Sequence, residues 1–293
     1  MRILTNVNRD SGPWRKRMQA IDVVMLTKNS EHMLDRCLRS LYENVPVKNL
    51  IVVDGFSTDS TPKLLEEANR RYGNVRVVKA NGSRARAREK GIAEVTTDWF
   101  LFVDSDVVLC RDWYEKALKN VKSDVGAIWG VNIDVIPTLQ DPRFLRAQQL
   151  IAEQCFALRG GTHDTLVRTE LVKGMKIPQK LHTYEDAFII KSIKDKGYRA
   201  VIGEDIYCVH YKPSGNWSPS NMISGAVEEM RCGLIYSHNF VYMAYYPIFM
   251  LNWAVQIAFH GVRGLLPSPS VVQVPPTDGP ILDVAKRELR RPR

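Results

Sequence analysis

The stretch Trp99-Phe100-Leu101-Phe102-Val103-Asp104-Ser105-Asp106 decides the fold. Five apolar residues in succession read as a strand buried on both faces, which is the pattern of a parallel sheet covered by helices. Two carboxylates, Asp104 and Asp106, leave its end. They share a direction because alternate strand residues point the same way. Carboxylates this close repel unless a cation sits between them, and a hard divalent ion with oxygen ligands relieves the repulsion. Taken alone, the Asp-x-Asp is also compatible with a solvated strand end that leads into a helix over 112–120. The rest of the chain has to decide.

Upstream, Ile21 to Leu26 reads as a first buried strand, and 31–44 as a helix with Met33, Leu34, Cys37, Leu38 and Leu41 on one face. Asn49 to Val53 is a second strand, ending at Asp54. Thr61-Pro62 opens a helix to about Tyr72, with Thr as N-cap and Pro in its first turn. A third strand (75–78) and a third helix (84–94) complete the alternation before the strand at 99–103. Such alternation predicts an α/β fold, a mostly parallel sheet with helices on both faces and ligands at the carboxyl ends of the strands. Thr27, Asp54, Asp104 and Asp106 all fall at such ends. Beyond 120 the pattern predicts a strand at 126–131, a helix over 143–158, a strand at 165–168 and a helix over 185–196. Strands near 199–202 and 206–209 and a loop over 213–220 follow.

The 293 residues carry a net charge of +9, concentrated at the ends. Arg2, Arg9, Arg15, Lys16 and Arg17 lie in the first segment, and Lys286, Arg287, Arg290, Arg291 and Arg293 in the last. Such ends suit an anionic leaflet or solubility. No nucleic-acid motif accompanies them, so no nucleic-acid partner is expected. The five cysteines show no CxxC and no zinc spacing, which fits a reducing compartment and no structural metal. No secretory signal opens the chain, so the catalytic part is expected to be cytoplasmic. Phe240 to Phe259 is twenty residues without a charge, long enough to span a bilayer. Pro247 interrupts that stretch, and Asn252, Gln256 and His260 form a polar stripe. A helix lying on the membrane, one crossing it and one docked on the protein all remain open. The chain is thus expected to divide into a basic segment (1–20), a catalytic domain (21–212), an apolar helical region suited to a membrane surface (213–266) and an extended basic tail (267–293).

Three runs join the acidic pair: Leu26-Thr27-Lys28-Asn29, Val52-Val53-Asp54-Gly55-Phe56-Ser57-Thr58-Asp59-Ser60-Thr61, and Ala87-Arg88-Glu89-Lys90-Gly91-Ile92. In order and spacing they resemble the inverting, DxD-containing family 2 glycosyltransferases of the GT-A fold, over roughly residues 20–212. The resemblance implies a nucleoside-diphosphate sugar donor, an Mg2+ or Mn2+ ion and inversion at the anomeric carbon. It sets Thr27 beside the nucleoside and Asp54 on the base and ribose, with Gly55 where the family has a second acid. Arg88 corresponds to the arginine of the family's Ala-Arg-Asn motif and would brace the diphosphate or nucleoside; Glu89 replaces the Asn. Asp106 is the implied metal ligand, and Asp104 a ligand of metal, ribose or metal-bound water. His210 is an implied ligand of metal or diphosphate.

Thr183-Tyr184-Glu185-Asp186 resembles the family's Glu-Asp motif, which makes Asp186 the catalytic base and Glu185 the residue that helps to place it or the acceptor. His163, in a Gly-Gly-Thr-His loop, reads either as a phosphate contact or as structural. Asp59 reads as a cap for the following helix.

The activity expected from the resemblance is sugar transfer to an acceptor that is lipid-linked or near a membrane, at the inner face of the cell membrane. The apolar region and basic ends favour a membrane surface as partner. A non-catalytic nucleotide-sugar-binding scaffold of a membrane assembly is the alternative. A nucleotidyltransferase would carry a glycine-rich basic loop after the first strand, and a dinucleotide-dependent dehydrogenase a GxGxxG; neither is present.

Overall fold

A computed structural model describes residues 20–134, 160–181, 183–211 and 219–238, together with 240, 247, 248, 250, 251, 254 and 255. The basic segment before Ala20, the helix expected over 143–158, most of the apolar stretch and the tail from 267 lie outside the described residues.

The alternation read from the sequence is present: β1 (Ile21–Thr27), α1 (Leu34–Asn44), β2 (Val47–Asp54), α2 (Thr61–Tyr72), β3 (Val75–Lys79), α3 (Arg84–Glu94) and β4 (Trp99–Asp104). A short β5 (Val107–Leu109), α4 (Trp113–Leu118) and β6 (Val125–Asp134) follow. After the undescribed segment come β7 (Asp164–Arg168), α5 (Thr169–Val172), α6 (Glu185–Asp195), β8 (Arg199–His210) and α7 (Pro219–Cys232).

These strands form one eight-stranded sheet in the order β3-β2-β1-β4-β7-β6-β8-β5. The pairs β1–β2, β1–β4, β2–β3 and β6–β8 are parallel. The pairs β4–β7, β6–β7 and β5–β8 are antiparallel. The sheet is therefore mixed, with a parallel half that carries the early motifs and a second half that folds back on it. The two short strands expected at 199–202 and 206–209 are one long strand. It follows β6 through a register shift between Trp129 and Val131.

Period-two alternation sorts the side chains of β1 into two cores. Val23 and Met25 pack with Leu34, Cys37, Leu38 and Leu41 of α1, Leu65 of α2 and Trp113 of α4. Val24 packs on the other face with Ala85 and Ile92 of α3, Phe100 and Phe102 of β4, and Ile189, Ile190 and Ile193 of α6. Helices on both faces bury the unbroken apolar runs that the sequence presents.

Asp22, buried at the start of β1, accepts hydrogen bonds from the Thr96 backbone N–H (2.6 Å) and hydroxyl (2.8 Å) and from the Asn49 amide (2.7 Å). It pins the turn before β4 to the sheet. Burial pushes its carboxyl up, and these donors outweigh burial and hold it below the usual value.

The approach of α3 to β1 is set by Gly91, where an added Cβ would meet Val24 Cγ1 at 2.4 Å. Val24 is β-branched and stiff, so it cannot swing away. Gly91→Ala should gain helix propensity yet lose about 1–3 kcal/mol to overpacking. A lower urea midpoint with an unchanged slope is the expected reading; a midpoint at or above wild type would show that the helix can lift without cost.

Candidate active site

Register places the motif residues side by side. Thr27 pairs with Asp54, Asp54 with Lys79, and Leu26 with Asp104. The carboxyl ends of β1, β2, β3 and β4 thus form one edge.

At that edge Asp54 is fully buried, and its carboxylate is saturated from within. It accepts from Thr27 Oγ1 (3.1 Å), Ser57 Oγ (2.5 Å), the Ser57 N–H (3.1 Å) and Lys79 Nζ (2.6 Å). Burial pushes its carboxyl up, but the lysine and serine donors outweigh burial and hold it below the usual value. Asp54 therefore knits Thr27, the loop after β2 and Lys79 together. Lys79 was not singled out in the sequence, because only the β2–β3 register brings it to Asp54.

The acidic pair occupies the turn between β4 and β5, and elements far apart in sequence hold it. Asp104 Oδ1 accepts from Arg88 Nη2 at 2.9 Å, and the Asp104 N–H donates to the His163 carbonyl at 3.1 Å. Asp106 Oδ1 lies 3.0 Å from His210 Nε2, and the Asp106 carbonyl accepts from the Tyr211 N–H at 2.9 Å. Ser105 Oγ lies 2.8 Å from Ser30 Oγ of the loop after β1. The pairing Val107↔His210 in the β5–β8 ladder brings the histidine to the aspartate. One ligand atom from each of Asp104, Asp106 and His210 lies within 4.8 Å of the others. Two partly exposed carboxylate oxygens and an imidazole nitrogen form a donor set that fits Mg2+ or Mn2+.

Arg88 is 3% exposed. Its guanidinium lies over the Phe102 ring (4.9 Å), bonds Asp104, and has Nε 3.9 Å from Glu185 Oε1. It stands behind the acidic turn rather than out in the crevice. Glu185 opens α6 and is buried, and Asp186 beside it is half-buried. Burial, with the neighbouring Asp186 charge, pushes the Glu185 carboxyl up to about 7, against the pull of Arg88 and Arg84. The structure therefore joins Asp104, Arg88 and Glu185 in one chain of charges, with Asp106 and His210 adjoining it. Thr27 and Asp54 lie along the same edge.

His163 is buried, with its ring near that of His210 (centroids 6.4 Å) and Nε2 3.1 Å from Asp164 Oδ1. Asp164 in turn accepts from Trp113 Nε1 (2.9 Å) and the Gly130 N–H (3.1 Å). Glu89, at the family's asparagine place, accepts from the Ile177 N–H (2.6 Å) and Gln179 Nε2 (3.2 Å), fastening α3 to the loop before α6. Asp59 accepts from the Thr61 N–H (3.0 Å) and the Glu31 N–H (3.1 Å), so it caps α2 and ties two loops. Asp164 and the roles of Glu89 and Lys79 are products of tertiary pairing and carried no local signal.

The family described as Glycosyl transferase family 2 matches residues 22–165. A teichoic acid poly(glycerol phosphate) polymerase of Staphylococcus epidermidis is 26% identical over 192 residues, which are 60% of this chain and 26% of that protein. A poly(ribitol-phosphate) beta-glucosyltransferase of Bacillus spizizenii is 31% identical over 129 residues, 40% of this chain and 20% of that protein. The chain thus spans about a quarter of the length of these curated relatives.

Among solved structures, the mannosyltransferase PcManGT of Pyrobaculum calidifontis, in complex with GDP-Man and Mn2+, superposes with a TM-score of 0.58 and 19% identity. The match covers 94% of this chain and 85% of that one. Residues 1–349 of S. aureus TarS, in complex with UDP-GlcNAc, give 0.52 at 19% identity, covering 82% and 73%.

The raised carboxyl of Glu185 makes a pH prediction. Its folded value, about 7, lies above the ordinary 4.5, so the folded state holds this proton more tightly than the unfolded chain. The proton's contribution to stability is full below pH 4.5 and is lost as pH rises towards 7. Glu185→Gln should therefore flatten the fall in stability between pH 5 and pH 8, measured by urea unfolding at both. An unchanged slope would place the titration elsewhere.

Proposed function

This chain belongs to glycosyl transferase family 2 and has its GT-A fold, and from that premise we propose that it transfers a sugar from a nucleoside-diphosphate donor to an acceptor, with inversion. The observation that carries the reading is the convergence of Asp104, Asp106 and His210 at the carboxyl edge of the sheet. Those three residues would hold Mg2+ or Mn2+. A bound divalent ion supplies positive charge against the pyrophosphate of the departing nucleotide.

The chain's own residues do the remaining work. Arg88 orients Asp104 and keeps the acidic turn fixed when no cation is present. Thr27 and the loop braced by Asp54 line the place of the nucleoside. Asp186 accepts the proton of an acceptor hydroxyl, and must come within about 3 Å of it. Glu185, buried beneath, sets the position of Asp186 and of the start of α6. Holding two substrates in line across the sheet edge contributes much of the acceleration.

The acceptor is proposed to be lipid-linked or membrane-proximal, at the inner face of the cell membrane. Support comes from the basic ends of the sequence and from exposed apolar residues after the catalytic domain. Ile223 and Val227, one turn apart on α7, are 52% and 54% exposed, and Phe240 and Leu251 are exposed as well. No helix among the described residues is long and apolar enough to cross a membrane; the contact we propose is with the membrane surface.

Release of nucleoside diphosphate from UDP- and GDP-sugars in Mn2+ tests the reading. Asp106→Asn should lower turnover at least 100-fold while leaving the fold intact. Asp186→Asn should lower kcat by about 100- to 10,000-fold with donor binding retained. Equal turnover in the Asp106 variant would remove the metal from the proposal, and no turnover by wild type with any donor would favour a binding scaffold.

A further inference from the structure

Phe56 has no part in the chemistry proposed above, and its backbone is in a conformation that a phenylalanine rarely adopts. It sits two residues beyond the end of β2, at φ 59°, in the left-handed region that favours glycine. Its side chain is 55% exposed, so no core packing offsets the strain. Scattered apolar residues on a surface are ordinary, but they are not normally held in a left-handed backbone.

The loop that holds Phe56 is tightly fastened. Ser57 is bound twice to Asp54, the Asn29 N–H donates to Ser57 Oγ (2.9 Å), and the Thr58 N–H donates to Asn29 Oδ1 (2.9 Å). The Ser60 N–H donates to Glu31 (2.8 Å). The Gly55 N–H donates to the Thr27 carbonyl (2.8 Å), fixing the residue before Phe56 to the end of β1. The exposure of Phe56 is thus imposed by a network on both sides. Lys79 Nζ lies 5.9 Å from its ring centroid while bonded to Asp54. An apolar ring, a cation and the hydroxyl of Thr27 are therefore gathered around one fully neutralised carboxylate.

We propose that Phe56 is a stacking platform for the nucleobase of the donor. This rests on the donor reading above and adds a residue to it. A planar π-face beside a lysine suits an aromatic heterocycle next to a phosphate-bearing ribose. Every base offers such a face, so stacking selects nucleotides over bare pyrophosphate and does not choose among bases.

The test is calorimetric binding of UDP, GDP and inorganic pyrophosphate, each with Mn2+, to the full chain and to Phe56→Gly and Phe56→Trp. Glycine is at ease at this φ, so Phe56→Gly should melt no lower than wild type. It should bind both nucleotides about 5- to 150-fold more weakly and pyrophosphate equally well. Phe56→Trp should keep nucleotide affinity. The proposal is overturned if Phe56→Gly binds nucleotides like wild type, loses pyrophosphate in equal measure, or melts well below wild type. Wild-type protein that binds neither nucleotide would instead remove the donor reading, and this inference with it.

Discussion

Two like charges held one residue apart at the end of a buried strand are the constraint on which this structure depends. Asp104 and Asp106 would push the β4–β5 turn open without counter-charges. The chain meets the repulsion with the Arg88 charge from α3, and His210 from the end of β8 contacts Asp106. Neither neighbour is local. Arg88 is delivered by the packing of α3 on β1, and His210 by a strand that lies between β6, parallel to it, and β5, antiparallel to it. Backbone bonds from Asp104 to His163 and from Tyr211 to Asp106 fix the turn from the same two directions. The turn is therefore a readout of the whole sheet, and a buried charge stripped of its partner there would be costly.

How much of this was legible follows from the range of each interaction. The strands and helices from Ile21 to Asp104 were readable because their evidence is periodicity within ten or so residues, and the structure matches it closely. The folding back of β5, β7 and β8 was not readable. Antiparallel pairing of a three-residue strand with the end of a twelve-residue one leaves no local trace. The same reason hid Lys79 and Asp164, whose partners are 25 and 51 residues away. Arg88 was found by its place in a motif, but its burial beneath Asp104 depends on α3 lying close to β1 through Gly91.

Burial also changes what individual acids do. Asp54 faces four donors that hold its carboxyl below the usual value; Glu185 faces two guanidinium groups and another acid, and burial pushes its carboxyl up. The two carboxyls are equally motif-like in the sequence. Desolvation acts on both, and only the supply of donors separates them. Asp54 is a fixed negative post for the loop after β2, whereas Glu185 can share a proton with its surroundings at the start of α6.

Arg88 connects these environments. A single positive charge lies between Asp104, which it bonds at 2.9 Å, and Glu185, which it approaches at 3.9 Å. If both acids were ionised, Arg88, with Arg84 adding a weaker pull on Glu185, would face two negative charges. Burial raises the Glu185 carboxyl and so lessens its demand on Arg88, which bonds Asp104. Arg88 thus touches both the acidic turn and the start of α6, tying the motif on α3 to both.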